Sequence, residues 1–202
     1  ISKPWNQPVG AMRSQNEGGG GGRLVDVDLT LDTRMSPGSY GIIADTRVEG
    51  VAWGVGTEFP GRIYRLDIGD NPPETCITEV YELPVVDGKP MGFGPRGIDM
   101  DSNGIIWSAL SGSSHMASFD RSKCDVLNGP SVIDSQHCQQ GWTLHEIPGP
   151  NMKGTDRKAD FHYYNWVDIF NTLGLGENVP IANGSGSDSL VALVPETGEV
   201  MH

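Results

Sequence analysis

"GFGPRGIDMDSNGIIWSALSGSSHMASFD", residues 92–120, decides how this 202-residue chain is read. Its centre, "DMDSNG" from Asp99 to Gly104, begins like the D-x-D-x-N-G of a calcium-binding loop. Such a loop closes with a bidentate carboxylate at its twelfth position, and Leu110 stands there; helical periodicity is missing on both sides. The same letters also read as two short apolar strands, "GIDM" and "IIWSAL", joined by a turn in which Asn103-Gly104 supplies the positive φ angles. The hairpin is the reading the pattern supports.

Set beside residues 40–84, the hairpin becomes part of a repeat. Both stretches run through a short apolar strand, a turn, and a strand carrying Trp53 or Trp107. A Gly/Ser-rich link, a strand ending in Asp67 or Asp120, a cysteine and a closing Glu-Leu-Pro or Glu-Ile-Pro follow. The tryptophans are 54 residues apart and the aspartates 53. A third copy, residues 162–202, matches best in its second half, where Leu190 to Val194 replace "MASFD". Before that half lies "GPNMKGTDRKADFHYYNWVDIFNTLGLGE", which reads as an insertion that neither other copy contains. Repeats of about 40–55 residues, each holding four short strands, describe the blades of a β-propeller, and a blade must stack on its neighbours to bury both faces. The expected fold is therefore an all-β propeller fragment with four-stranded blades, its repeats at about 40–84, 94–148 and 162–202. So few blades leave the ring to be closed by further chain or other subunits.

Residues 1–22 end in five glycines and read as an extended lead-in to the segment 23–202. An alternating strand follows, with Val25, Val27, Leu29 and Leu31 on one face and Asp26, Asp28, Thr30 and Asp32 on the other. Glycine (28) and proline (14) make up about a fifth of the chain, which suits many strands joined by turns. With 26 acidic against 14 basic residues the net charge is -12, so partners held by opposite charge are not nucleic acids or anionic membranes. No apolar run reaches the ~18 residues of a membrane helix. The chain also opens without a leader pattern and stops part-way through a strand, as a trimmed piece of a larger polypeptide would. Among Cys76, Cys124 and Cys138, a Cys124–Cys138 disulfide closing a long loop is one pairing and Cys76–Cys124 the rival; either implies an oxidising compartment.

The succession Pro-x-Gly-Ile, Asp, Asn-Gly, Trp, Phe-Asp in residues 95–120 resembles the repeat of the virginiamycin B (streptogramin) lyase-like propellers, over roughly Tyr40 to Val200. With the cysteines, "YELP", "GWTLHEIPGP" and "NVPIANGSGSDSLVAL", the chain is similar to exported bacterial proteins that join such a propeller to a carboxypeptidase-regulatory-like domain. The resemblance implies a propeller fold and a periplasmic or secreted location, with no fixed activity. For a true lyase it implies a divalent cation near a glutamate and a histidine two residues later, just after a blade tryptophan, with a histidine as base. Those positions carry Gly56 and Glu58 in one repeat, Leu110 and Gly112 in the next. Without a carboxylate and an imidazole aimed at one point, general-base elimination lacks its proton acceptor.

The remaining candidates are for binding. His162, Tyr163, Tyr164, Trp166 and Asp168 cluster in the apparent insertion, where loops on a rigid scaffold tend to carry function. Aromatic faces beside a histidine and a carboxylate suit a sugar, a peptide or a cationic ligand. The alternative is that they pin a long loop to its blade. Arg96 and His115 are counted with them, His115 on condition that it faces the central channel rather than an edge, while His145 reads as part of a solvated strand face. Signatures for haem attachment, serine hydrolysis, zinc proteolysis and phosphate cradling are absent. These residues predict a non-catalytic module for a small molecule or protein, with no cofactor and no metal ligands of its own. The alternative is a metal-assisted lyase or hydrolase whose divalent cation is held by residues elsewhere.

Overall fold

The computed structural model describes residues 39–71, 74–127, 132 and 134–202. The lead-in at 1–22 and the alternating strand after it lie outside the described residues.

Three four-stranded antiparallel sheets follow one another along the chain, each a meander in which every strand pairs with the next. The first blade holds β1 (Ile42–Ala44), β2 (Val51–Gly56), β3 (Arg62–Asp67) and β4 (Ile77–Glu82). A two-stranded ribbon, β5 (Val85–Val86) and β6 (Lys89–Pro90), leads to the second blade. That blade is built of β7 (Asp99–Met100), β8 (Ile106–Leu110), β9 (His115–Phe119) and β10 (Trp142–Glu146). The third contains β11 (His162–Asp168), β12 (Val179–Gly184), β13 (Ser189–Val194) and β14 (Glu199–Met201). The fold is the all-β, four-stranded blade arrangement expected from the repeat, and three blades do not close a ring. One expectation is corrected: residues 162–168 are not an inserted loop but the first strand of a complete third blade. Only the connection around 149–161 and the long β11–β12 turn remain as added chain.

The hairpin that opened the argument is confirmed in kind and altered in detail. Asn103 keeps a negative φ, and only Gly104 is left-handed, at φ 86°. The turn closes with Gly104 N–H on the Asp101 carbonyl (3.0 Å) and Asp101 N–H on the Ile105 carbonyl (3.0 Å). This is a three-residue hairpin connection with glycine in its left-handed place, rather than a two-residue turn with two positive φ angles.

The tryptophans occupy equivalent places. Trp53 lies opposite Ile43 and Arg65, and Trp107 opposite Asp99 and Ser118, each on the second strand of its sheet. Period-two alternation sends Val51, Trp53 and Val55 toward the second blade, where they pack with Ile98, Met100, Ile106 and Phe119. In the same way Trp107 and Ala109 leave the second blade for Val167, Ala182, Val191 and Leu193 of the third. The orienting device is a carboxylate at the end of each first strand. Asp45 Oδ1 accepts the N–H groups of Arg47 and Val48 while its Oδ2 accepts the Trp53 indole N–H at 3.0 Å. Asp101 Oδ1 likewise accepts from Asn103 and Ile105, and its Oδ2 from the Trp107 indole at 3.3 Å.

A buried ion pair fastens the first two blades. Glu79 on β4 is 2% exposed and receives a two-pronged grip from Arg121, which follows β9, at 2.6 Å and 2.6 Å. The Tyr81 hydroxyl donates to the same carboxylate at 2.7 Å, and Arg65 approaches at 3.6 Å. The Cys124–Cys138 disulfide forms, with Cα atoms 5.1 Å apart, and Cys138 is buried in the interface of these two blades. Cys76 keeps its thiol, directed at the Ile68 carbonyl, so the rival pairing is not made. Removing Arg121 leaves the buried Glu79 carboxylate with Tyr81 and the more distant Arg65 alone, and a buried charge stripped of its main partner is costly. Arg121→Met is expected to lower the unfolding free energy by about 3 kcal/mol in urea titrations. Glu79→Gln introduced alongside it is expected to restore part of the loss.

Candidate functional site

The first strands of the three blades are the innermost, and their heads meet. Counting back five residues from the strand-ending aspartates Asp45, Asp101 and Asp168 gives Tyr40, Arg96 and Tyr163. Glycine follows in two of the blades, and it permits the approach. A Cβ on Gly41 would lie 2.8 Å from the Arg96 carbonyl oxygen, and one on Gly97 2.4 Å from the Asn165 backbone nitrogen. Asn165 locks the second contact, accepting Ala109 N–H (3.0 Å) and donating to the Trp107 carbonyl (3.1 Å).

This convergence places the Arg96 guanidinium over two phenol rings, 4.9 Å from the Tyr40 centroid and 5.1 Å from that of Tyr163. The Tyr40 and Tyr163 hydroxyls share a hydrogen bond, and their rings meet edge to face at 5.8 Å. Tyr164 completes the cluster at 4.9 Å from Tyr163. Tyr40 is 40% exposed and Tyr164 54%, so both side chains reach solvent. Arg96 has no carboxylate partner among the described residues. The aromatic neighbours stabilise the cation without neutralising it. A β-bulge between His162 and Asn165 sets the two tyrosines. Asn183 fills it, its Oδ1 accepting from Tyr163 N–H at 3.2 Å and Tyr164 N–H at 2.7 Å.

Of the residues predicted from sequence, Tyr163, Tyr164 and Arg96 are brought together, and the others are not. His162 is fully buried: Nδ1 donates to the Asn183 carbonyl at 3.2 Å and Nε2 is unpartnered, so no ring atom reaches solvent. His115 sits on β9, the third strand, between Leu110 and Glu146, and not on the channel-facing strand. Trp166 is exposed on β11, opposite Ile181, with no ring contact to the tyrosines. Asp168 caps its turn, accepting Thr172 N–H (2.9 Å) and Leu173 N–H (2.8 Å), and those bonds hold its carboxyl below the usual range. Tyr40 and Asn183 were not predicted. Tyr40 heads the first repeat, and the spacing to its aspartate would have found it once 162–168 was aligned as a strand. Asn183 acts through a contact about 20 residues away in sequence, and no local pattern marks it.

His115, His145 and His162 gather where the second and third blades meet. His145 stacks on Trp107 at 5.8 Å. Burial lowers all three imidazoles below the ordinary histidine value; Glu146 opposes it for His115 and Asp160 for His162, while His115 adds to it for His145. Among the described residues, no three of His, Cys, Asp and Glu are placed to hold a metal ion together. No described helix is long and apolar enough to cross a membrane.

Among solved structures, the chain is similar to a catalytically inactive variant of virginiamycin B lyase from Staphylococcus aureus with quinupristin, and to the selenomethionine-substituted form of that enzyme. Each is 14% identical with a TM-score of 0.42, over 81% of this chain and 54% of that one. A streptogramin B lyase structure is likewise 14% identical, with a TM-score of 0.38 over 81% and 53%. The chain spans about half the length of these structures. No family model matches, and no curated protein does.

The histidines predict a pH response with a defined sign. Their folded values lie below the unfolded one of about 6.5, so the unfolded chain binds more protons in the window beneath it. Their stability contribution is complete above about pH 6.5 and is lost as pH falls. Urea midpoints are expected to drop between roughly pH 7 and pH 5, above the range in which carboxylates titrate. A flat or rising midpoint would contradict the burial of these rings.

Proposed function

We propose that the chain is a non-catalytic binding module of an exported protein, and that it takes its ligand at the Tyr40–Arg96–Tyr163–Tyr164 cluster. The observation that carries this reading is a half-buried guanidinium of the second blade, free of any described carboxylate, framed by tyrosine rings of the first and third blades. Exposed phenol rings stack on sugar rings or apolar peptide groups, and a guanidinium grips a carboxylate in two-pronged fashion. A cationic ligand, allowed by the sequence, is disfavoured because Arg96 already occupies the cation's place over both rings. The ligand class is therefore an acidic sugar or a peptide carboxylate. The disulfide supports the exported location. The buried His162 supports a non-catalytic role, since a general base must reach its substrate.

Galacturonic acid oligomers and matched galactose oligomers, titrated calorimetrically, test this directly. The acidic series is expected to bind. Arg96→Gln should weaken binding about tenfold or more, the loss of one charge-assisted hydrogen bond, with unfolding unchanged. Binding indifferent to Arg96, or turnover that requires a divalent cation, would replace this reading with that of a metal-assisted lyase or hydrolase.

A further inference from the structure

The opposite rim, formed by the turns after the innermost strands, holds a second concavity that the axial cluster does not use. A cleft of about 640 Å³ lies between the first and second blades, lined by Arg47, Arg65 and Arg121 together with Asp45, Asp120 and Ser122. In a chain with a net charge of -12, three guanidinium groups around one cleft call for a reason.

The carboxylates there are already engaged. Asp45 accepts from two backbone N–H groups and the Trp53 indole. Asp120 Oδ1 accepts both the backbone N–H (3.0 Å) and the hydroxyl (2.6 Å) of Ser122, and Lys123 lies 3.7 Å from its other oxygen. Glu79, behind the cleft wall, is held by Arg121, Tyr81 and Arg65. The guanidinium groups are not saturated in return, because each carries five N–H donors. Arg121 gives two nitrogens to Glu79, and Arg65 contacts Asp67 at 3.1 Å. Arg47 has no carboxylate among the described residues; it donates to the Asn103 carbonyl of the next blade.

That last contact fixes Arg47 in place. Its guanidinium lies across Gly104, where a Cβ would collide with it, so the glycine that makes the hairpin turn also seats the arginine at the rim. The buried Arg65, with its side chain 9% exposed, supplies positive charge from the floor. Surplus donors on cations held in place, beside carboxylates already engaged with N–H groups, a hydroxyl and Lys123, form a receptor for an anion. The volume suits a small molecule rather than a bare ion.

We propose that this interblade cleft binds the phosphate or sulfate ester group of a small molecule, with Arg47 and Arg121 as the gripping groups and Arg65 as buried charge support. The site is separate from the axial cluster and independent of the ligand bound there.

The test uses the whole protein with inorganic phosphate and inorganic sulfate as probes, followed by calorimetry and by the arginine Nε–H resonances. Saturable binding is expected, weakening as sodium chloride is raised, with shifts of the Arg47 and Arg121 signals. Arg47→Gln removes an exposed side chain and spares the Glu79 pair, so it is expected to fold normally and to weaken binding about tenfold or more. Arg96→Gln should leave it unchanged. Absence of saturable binding at low salt, or binding undiminished in Arg47→Gln, overturns the proposal. A preference between phosphate and sulfate distinguishes the two ester classes.

Discussion

One carboxylate at the end of each innermost strand holds the architecture together. In the first two blades it closes the following turn through backbone N–H groups and, with its second oxygen, turns a tryptophan indole toward the neighbouring blade. The indole then forms the centre of the interblade core, where a large aromatic side chain buries more area than any other choice. In the third blade Asp168 caps its turn in the same way, but Ile181 stands where the tryptophan would be and packs with Val179, Ala192 and Leu175. Turn, strand direction and blade stacking thus share one group. Because that group marks the same point in every blade, Tyr40 and Arg96 head their strands at matching positions, and the bulge between His162 and Asn165 brings Tyr163 and Tyr164 to them.

The two rims differ in chemistry for this reason. Chain entering the innermost strands carries Tyr40, Arg96 and Tyr163 to the axis, brought close by the glycines that follow the first two. Chain leaving them forms the turns, where Arg47 crosses to the adjacent blade. His115, His145 and His162 lie where the second and third blades meet, with His162 sealed from solvent. They contribute to packing and pH sensitivity rather than to either rim.

Much of the fold was legible from residues 92–120 and their echo at 40–84, because interblade packing requires a large side chain at a fixed distance from a turn. The calcium reading failed on Leu110, which is buried on β8. The third blade was legible only in part. Tyr163 and Tyr164 sit in a bulge, which breaks the alternation by which a strand is recognised, and the bulge is stabilised by Asn183 from the next strand. The aromatic stretch therefore looked like a loop. Of the residues grouped for binding, Tyr163, Tyr164 and Arg96 come together at the strand heads, whereas His162 is turned inward to the Asn183 carbonyl and Asp168, at the far end of the strand, caps its turn. His115 lies on the strand after the Gly/Ser link, as read, and the condition of facing the channel is not met there.

The central claim is that the heads of the three first strands converge on a guanidinium that has tyrosine rings, and no described carboxylate, against it. A crystal structure of the protein, inspected where β1, β7 and β11 begin, addresses it most directly. The expected result is the Arg96 guanidinium seated against the faces of Tyr40 and Tyr163, with the Tyr164 ring open to solvent. A carboxylate from elsewhere in the chain paired with Arg96, or a segment packed over the tyrosines, would contradict it.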